Sequence, residues 1–214
     1  MTAEEVAQFL RQHPQFFDQF PDLLESIYVP HPYGGRAIPL SERQILGLRE
    51  KTKLLEAKLG ELIQFGEQND AIGQKVHRLA VALLVARDFG STVQALYFHL
   101  REDFAVPHVA LRVWDRTPLE GTPEGAPVSD ALRRQIEAMD GPECGAASGN
   151  PFLPWFGEAR EHVRSVALVP LGQTRRIGML ALGSEDAERF YAEMGTLFLS
   201  RIGDLTGAAL VARL

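Results

Sequence analysis

Apolar residues follow a seven-residue repeat through the middle of this chain, from Ser41 to about Arg87. The d positions of the repeat are Leu48, Leu55, Leu62, Asn69, Val76 and Leu83, and the a positions are Ile45, Thr52, Leu59, Gly66, Gly73 and Ala80. Because an a/d repeat places one apolar stripe along a helix, the pattern predicts a parallel coiled coil between two copies of the chain. An antiparallel hairpin, in which this helix folds back on an N-terminal helix, is the alternative.

The two ends of this predicted helix differ. Ser41 and Gln44 have the spacing of a capping box, which predicts the helix start. Asn69 interrupts the apolar stripe, and Gly66 and Gly73 each cost about 1 kcal/mol of helix propensity relative to alanine. We therefore expect the coil to loosen beyond residue 63. The predicted homodimer interface consists of Ile45, Leu48, Leu55, Leu59, Leu62 and Asn69.

The pattern in the C-terminal part of the chain predicts a sheet covered by helices. Two runs rich in Val, Leu and Ile flank the turn at Gly172–Arg175, and His108–Trp114 alternates like a half-buried strand. A closing amphipathic helix is predicted from the stripe Phe190, Met194, Leu197, Phe198, Ile202, Leu205 and Ala209. The composition predicts loops at residues 115–127 and 140–154, with a short helix between them. The fold class is therefore α+β, an antiparallel sheet with flanking helices.

The N-terminal segment is rich in phenylalanine. Its apolar residues Phe16, Phe17, Phe20, Leu23 and Leu24 fall within HPQFFDQFPDLL. So many aromatic side chains need burial, either in short helices packed on each other or on the next segment, or at a docking surface for a protein partner. A loop rich in proline and glycine follows.

Composition narrows the classes of function. The net charge of −6 and pI near 5.5 disfavour direct nucleic-acid binding, which needs clustered Lys and Arg. The longest apolar run, Leu79–Ala86, is far shorter than the roughly 20 residues of a membrane-spanning helix. The acidic N-terminus lacks the basic start of a secretory signal, and the single Cys144 excludes an intrachain disulfide. We expect a cytoplasmic protein without a membrane partner.

Several short motifs carry a family resemblance. They are His13-Pro14, Phe16-Phe17, Pro21, Leu23-Leu24, Pro30-His31, Gly34-Gly35, Glu42-Arg43-Gln44, Val169-Pro170-Leu171, Ile177-Gly178 and Gly183-Ser184. On these motifs the chain is identified as a member of the bacterial family catalogued as domain of unknown function 484. Its element order also resembles a GAF domain, a small-molecule-sensing and dimerising module. The resemblance implies an N-terminal helical segment at 1–38, a coiled-coil helix at 39–73 and a GAF-like domain at 74–214, without an established activity.

The sequence contains no phosphate-binding loop, no hydrolase or metalloprotease motif and no paired histidines for a metal. No motif identifies a cofactor. Cys144 lies in a predicted loop beside Glu143, a neighbour that raises rather than lowers a thiol pKa. An inert cysteine is therefore one interpretation, and a cysteine-based redox enzyme is the other.

In the GAF arrangement, the segment between the outer strands folds over one face of the sheet. The residues expected to line or lid a ligand pocket there are Trp114, Cys144, Phe152, Trp155, Phe156 and Arg176. Simple core packing is the competing interpretation of the same aromatic residues. We expect a non-catalytic regulatory module that dimerises through its helical extension and acts by protein contact. A small-molecule sensor and the cysteine enzyme are the alternatives.

Overall fold

The computed structural model describes residues 2–29, 38–114, 121–173 and 175–213. The chain divides into two compact units, Met1–Glu67 and Gln68–Leu214, called the N-terminal and the C-terminal unit below. The boundary between them falls within one long helix. Most of the predicted proline- and glycine-rich loop, His31 included, and residues 115–120 of the next predicted loop lie outside the described residues.

The N-terminal unit begins with three helices: α1 Ala3–Gln12, α2 Phe16–Gln19 and α3 Asp22–Ser26. Thr2 and Glu5 form a capping box at the start of α1, since the Thr2 hydroxyl accepts the Glu5 amide at 3.2 Å and the Glu5 carboxylate accepts the Thr2 amide at 2.7 Å. Helix α1 ends just before Pro14, as its sequence predicts. Strands β1 Tyr28–Val29 and β2 Ile38–Pro39 then pair antiparallel.

Helix α4 runs from Leu40 to Val85, which confirms the long helix expected from the seven-residue repeat. The predicted start was wrong by a small margin. Ser41 lies inside the helix rather than at its cap, because the helix begins directly after Pro39 of strand β2. At the other end, the Arg213 guanidinium donates to the carbonyl of Leu83 in the last turn of α4 at 2.9 Å and to that of Ala86, just beyond the helix, at 2.8 Å.

The C-terminal unit contains a four-stranded antiparallel sheet with strand order β3-β6-β5-β4. Its strands are β3 His108–Val113, β4 Glu143–Ala146, β5 Ser165–Leu171 and β6 Gly178–Ser184, and its further helices are α5 Phe89–Glu102, α6 Asp130–Glu137, a 3-10 helix Leu153–Glu161 and α7 Leu197–Val211. The α+β class with helices flanking an antiparallel sheet is therefore confirmed. No helix in the described ranges is both long and apolar enough to cross a bilayer.

Alternation along the strands divides the core into two faces. The helix face packs Leu111, Val169 and Leu180 against the C-terminal half of α4 and against α5 and α7. The loop face packs Ala110, Leu168 and Met179 against residues from the segment 114–156. Helix α7 lies very close to β5, since a Cβ on Gly203 would meet Val169 Cγ1 at 2.7 Å.

Two sequence predictions in this unit were wrong. Residues 140–154 contain strand β4, where a loop was expected, because strand pairing with β5 overrides the weak strand propensity of Glu-Cys-Gly-Ala. The closing helix starts only at Leu197, so Phe190 and Met194 precede it. Both side chains nevertheless pack on the helix-face core, which is why their spacing resembled a helical stripe. Leu197, which the predicted apolar stripe also included, is in contrast 60% exposed.

Candidate functional site

The apolar residues expected at a dimer interface lie exposed along α4 in the N-terminal unit. Their exposed fractions are 49% for Ile45, 64% for Leu48, 59% for Leu55, 58% for Leu59 and 66% for Leu62, and we call these five residues the leucine stripe. Asn69, the polar position of the repeat, is also exposed. Among the residues that the structure describes, no side chain of α1, α2 or α3 removes the leucine stripe from solvent, so these helices leave it as an exposed apolar surface.

The same repeat changes role farther along the helix. Val76 and Leu83 continue the d positions in the C-terminal unit, where they are only 8% and 2% exposed and belong to the helix-face core. Leu96 and Leu100 of α5 belong to the same core. A dimer contact through the d positions is therefore available in the N-terminal unit, while the later d positions are already used within the chain.

The second set of expected residues meets on the loop face. Trp114 is 6% exposed and Phe152 fully buried, and Trp155 and Phe156 pack against the same core. We call these four residues the tryptophan cluster. The Phe152 and Trp155 rings lie 5.1 Å apart in an edge-to-face arrangement. The cluster fills space between the sheet and its covering segment with close aromatic contacts.

Arg176 joins this region through its backbone and its side chain. The Trp114 indole N–H donates to the Arg176 carbonyl at 3.1 Å. The guanidinium donates to the Met139 carbonyl at 2.7 Å and to the Gly172 carbonyl. Arg176 therefore links the β5–β6 connection to the segment that follows α6. It also borders a small polar recess with Asp140 and Asp204.

Cys144 is separated from the other five expected pocket residues. It lies in β4 opposite Ala167 of β5, and its side chain packs against the helix-face core. Burial raises the pKa of the Cys144 thiol, which disfavours the reactive thiolate. Because alternate strand residues point to opposite faces, the sheet itself lies between Cys144 and the tryptophan cluster.

A buried polar group that the sequence did not reveal lies at the outer edge of β3. The Tyr97 hydroxyl donates to the Glu124 carboxylate at 2.9 Å, and the Glu124 carbonyl accepts the Val113 amide at 2.8 Å. Burial, and then the Glu124 hydrogen bond, raise the pKa of Tyr97. Desolvation lowers the pKa of Arg112, whose guanidinium lies 5.3 Å from the centre of the Trp155 ring. These contacts fasten the segment after β3 to the sheet edge.

Histidines do not assemble a metal site in the part of the chain that the structure describes, where no group of three or more His, Cys, Asp or Glu side chains could hold an ion. His99 and Arg78 instead share Asp103, at 2.6 Å from His99 Nδ1 and 2.9 Å from Arg78 Nη2. The hydrogen bonds from Arg78 and then His99 lower the pKa of Asp103. His108 of β3 lies 3.3 Å from the Glu185 carboxylate. These contacts link neighbouring elements.

The helix face contains a cavity of about 310 Å³ that sequence reasoning missed. Its walls come from α4, α5, β6, the β6–α7 connection and α7. The lining residues are Ile72, Lys75, Leu100, Phe104, Val106, Leu182, Arg189, Phe190, Met194, Gly195, Phe198, Leu199 and Ile202. We call this space the helix-face cavity. The only sequence signal for it was the apolar spacing of Phe190, Met194 and Phe198, which indicated burial but no empty space.

The aromatic residues of the N-terminal unit line a separate apolar groove of about 360 Å³, formed by Val6, Phe9, Leu10, Phe16, Phe17 and Ile27. Phe16 is central to it, with its ring centre 6.0 Å from that of Phe9 and 5.4 Å from that of Phe17. Phe9 remains 46% exposed. The phenylalanine residues thus pack on one another and also leave apolar surface in contact with solvent. We call this feature the phenylalanine groove.

Solved structures that are similar to this chain include the following two. One is the GAF domain of A. aeolicus Nlh2 in an inactive state, with a TM-score of 0.48 and 12% identity over 68% of this chain and 99% of that chain. The other is the free methionine-R-sulfoxide reductase of Neisseria meningitidis in complex with its substrate. It has a TM-score of 0.46 and 19% identity over 66% of this chain and 89% of that chain.

Sequence comparison extends over both units. The protein named "Uncharacterized protein YigA" from Salmonella typhimurium strain LT2 is 26% identical over 205 residues, which cover 92% of this chain and 86% of the relative. YigA of Escherichia coli strain K12 is also 26% identical, over 209 residues with the same coverage. Residues 1–212 match the family described as "Protein of unknown function, DUF484". Because that match includes both units, the chain belongs to the DUF484 family.

Proposed function

We propose that this DUF484 chain is a non-catalytic regulatory module of the GAF type, which dimerises through helix α4 and acts by contact with other proteins. The exposed leucine stripe is the observation that carries the proposal. All five of its side chains keep about half or more of their surface in contact with water. Burying one such side chain completely contributes roughly 1.5–3 kcal/mol, so pairing of two stripes is strongly favoured.

The position of the stripe supports a second copy as its partner. From Ile45 to Asn69 the repeat extends over about three and a half heptads, a length typical of a short coiled coil. The intrachain hairpin requires α1 to α3 to cover the stripe, and they leave it exposed. Beyond Asn69 the d positions belong to the core of the C-terminal unit, so the coil has a natural end.

Contact with other proteins is supported by the phenylalanine groove. Its lining is entirely apolar, and Phe9 and Ile27 remain 46% and 40% exposed. Contiguous exposed apolar surface is characteristic of interaction sites, those for proteins among them. The net charge of −6 supports protein rather than nucleic-acid partners, and the single free cysteine is in keeping with a cytoplasmic location.

The environments of Cys144 and Arg176, the two polar residues among the expected pocket residues, support a non-catalytic role. A cysteine enzyme needs an accessible thiolate, whereas burial raises the pKa of Cys144. Arg176 binds two backbone carbonyls with its guanidinium and so acts as a structural clamp. Both groups therefore have environments suited to holding the fold together.

The dimer is tested by placing two charges in the stripe. Leu55→Asp combined with Leu62→Asp should convert a dimer at tens of micromolar into a monomer, because paired stripes cannot bury four carboxylates, two from each chain. Light scattering measures the mass, and circular dichroism checks that the C-terminal unit stays folded. The matched control is Leu54→Asp with Gln64→Asp, which adds the same charge on α4 outside the a and d positions. A monomeric wild-type protein, or equal effects of both pairs, would show the proposal to be wrong.

A further inference from the structure

The helix-face cavity has the character of a ligand site. Its volume of about 310 Å³ lies at the lower end of the roughly 300–1,000 Å³ typical of small-molecule pockets. Leu100, Leu182 and Ile202 are almost completely buried at its base, and Phe104, Met194 and Phe198 are half-buried around it. Water inside such a space would find few hydrogen-bond partners, so the walls favour an apolar occupant.

Two cations border this apolar space. Lys75 of α4 and Arg189 of the β6–α7 connection both line the cavity. Arg189 donates one hydrogen bond to the Phe104 carbonyl, which holds the guanidinium at the wall. Within the described ranges of the chain, neither Lys75 nor Arg189 has a carboxylate within 4.0 Å. Two half-buried positive charges beside an apolar cavity are complementary to an anionic group on a hydrocarbon body.

We propose that the helix-face cavity binds a medium-chain carboxylate, with its hydrocarbon chain between α5 and α7 and its carboxylate at Lys75 and Arg189. The site lies on the opposite side of the sheet from the tryptophan cluster. It lies wholly within the C-terminal unit and does not depend on dimerisation, so it can be measured on the monomeric Leu55→Asp, Leu62→Asp protein as well as on the wild type.

A series of probes of increasing length tests the apolar part of the site. Hexanoate, octanoate and decanoate are titrated into the 214-residue chain by calorimetry, below their micelle concentrations. Affinity should rise about fourfold for each methylene buried, until the cavity is full. The melting temperature should rise with each ligand in the same order. Failure of all three carboxylates to bind would overturn the proposal.

Charge recognition is tested by changing the head group. Decanol and decylamine carry chains like that of decanoate, but their head groups are neutral and cationic. Decanoate should bind at least about tenfold more tightly than decanol, because hydrogen bonds to charged groups are the stronger ones. Decylamine should bind more weakly still. Equal binding of decanoate and decanol would mean that the cations take no part, which overturns the proposed ligand class.

Variants locate the site. Lys75→Met removes the charge, leaves an unbranched side chain one atom shorter, and should weaken decanoate binding about tenfold without changing decanol binding, while Lys75→Arg should retain decanoate binding. The matched control, Lys58→Met, removes a lysine from the same helix outside the cavity and should change the affinity of neither ligand.

Met194→Trp should fill the cavity and abolish binding of both probes in a folded protein. Unchanged decanoate affinity in Lys75→Met and Met194→Trp would overturn the site. Loss of the dimer in Met194→Trp, with no carboxylate binding to wild type, would assign the cavity to a second copy instead.

Discussion

Leu55 and Leu83 occupy the same heptad position of helix α4, four repeats apart, yet Leu55 is 59% exposed and Leu83 only 2% exposed. One sequence repeat therefore serves two purposes. Its later part anchors the C-terminal unit through the helix-face core. Its earlier part remains available to a partner, and we propose that this partner is the same stripe of a second copy.

An introduced cysteine tests whether the two helices of the proposed coil are parallel. In a Cys144→Ser background, Leu62→Cys should form a cross-linked dimer under mild oxidation. A parallel, in-register coil brings the two d positions close enough for the about 3.5–4.5 Å between Cβ atoms that a disulfide requires. Non-reducing electrophoresis gives the yield. Leu54→Cys, which lies outside the seam, serves as control. An antiparallel pair would separate the two cysteines and leave the Leu62→Cys protein uncross-linked.

Close packing of α7 on β5 predicts opposite effects of two glycine substitutions. Gly203→Ala should lower the free energy of unfolding by about 1–3 kcal/mol, because its Cβ would meet Val169 Cγ1 at 2.7 Å in a fully buried strand. At Gly73, also helical and in the same unit, a new Cβ would meet no atom within 4 Å apart from those of its own stretch of helix. Gly73→Ala should raise stability by up to about 1 kcal/mol through helix propensity. Chemical denaturation measures both, and a stabilising Gly203→Ala would contradict the packing described.

The environment of Cys144 predicts that its thiol reacts slowly with thiol reagents. Because burial raises its pKa, less thiolate is present at neutral pH than for an unfolded cysteine. Labelling by a thiol reagent should therefore be slower in the native protein than in denaturant, and its rate should rise as the pH increases into the alkaline range. Cys144→Ser should leave oligomeric state and secondary structure unchanged. Native labelling at neutral pH that outpaces the denatured control would instead favour the cysteine-enzyme alternative.

The raised pKa of Tyr97 predicts that the protein loses stability at alkaline pH. Its pKa is raised in the folded chain, first by burial and then by the hydrogen bond to Glu124. Its contribution is fully present below the unfolded tyrosine pKa of about 10. Above that pH the unfolded state releases the proton first, so the free energy of unfolding falls as the pH rises.

The variant Tyr97→Phe isolates this effect. It should cost about 1–3 kcal/mol at neutral pH, because the buried Glu124 carboxylate loses its donor. Its unfolding free energy should also fall less steeply above about pH 10 than that of the wild type. Denaturation at several pH values measures both quantities. Equal slopes for the two proteins would show that Tyr97 is not the group responsible.

Local sequence determined much of this protein. The seven-residue repeat was enough to identify α4, because helical periodicity depends only on neighbours three and four positions away. Alternation and proline positions likewise located β3 and the end of α1. The α+β class followed from the order of these elements. The aromatic residues expected to meet, Trp114, Phe152, Trp155 and Phe156, do share one core on the loop face.

Only the tertiary structure decided the remaining features, because they depend on contacts between residues far apart in the chain. Strand β4 exists through its pairing with β5, and that pairing turns Cys144 away from the tryptophan cluster. Tyr97 and Glu124 meet across 27 positions at the edge of β3. The helix-face cavity depends on how closely α4, α5 and α7 approach one another. Periodicity shows which side chains avoid water, but packing geometry decides whether the space between them is filled.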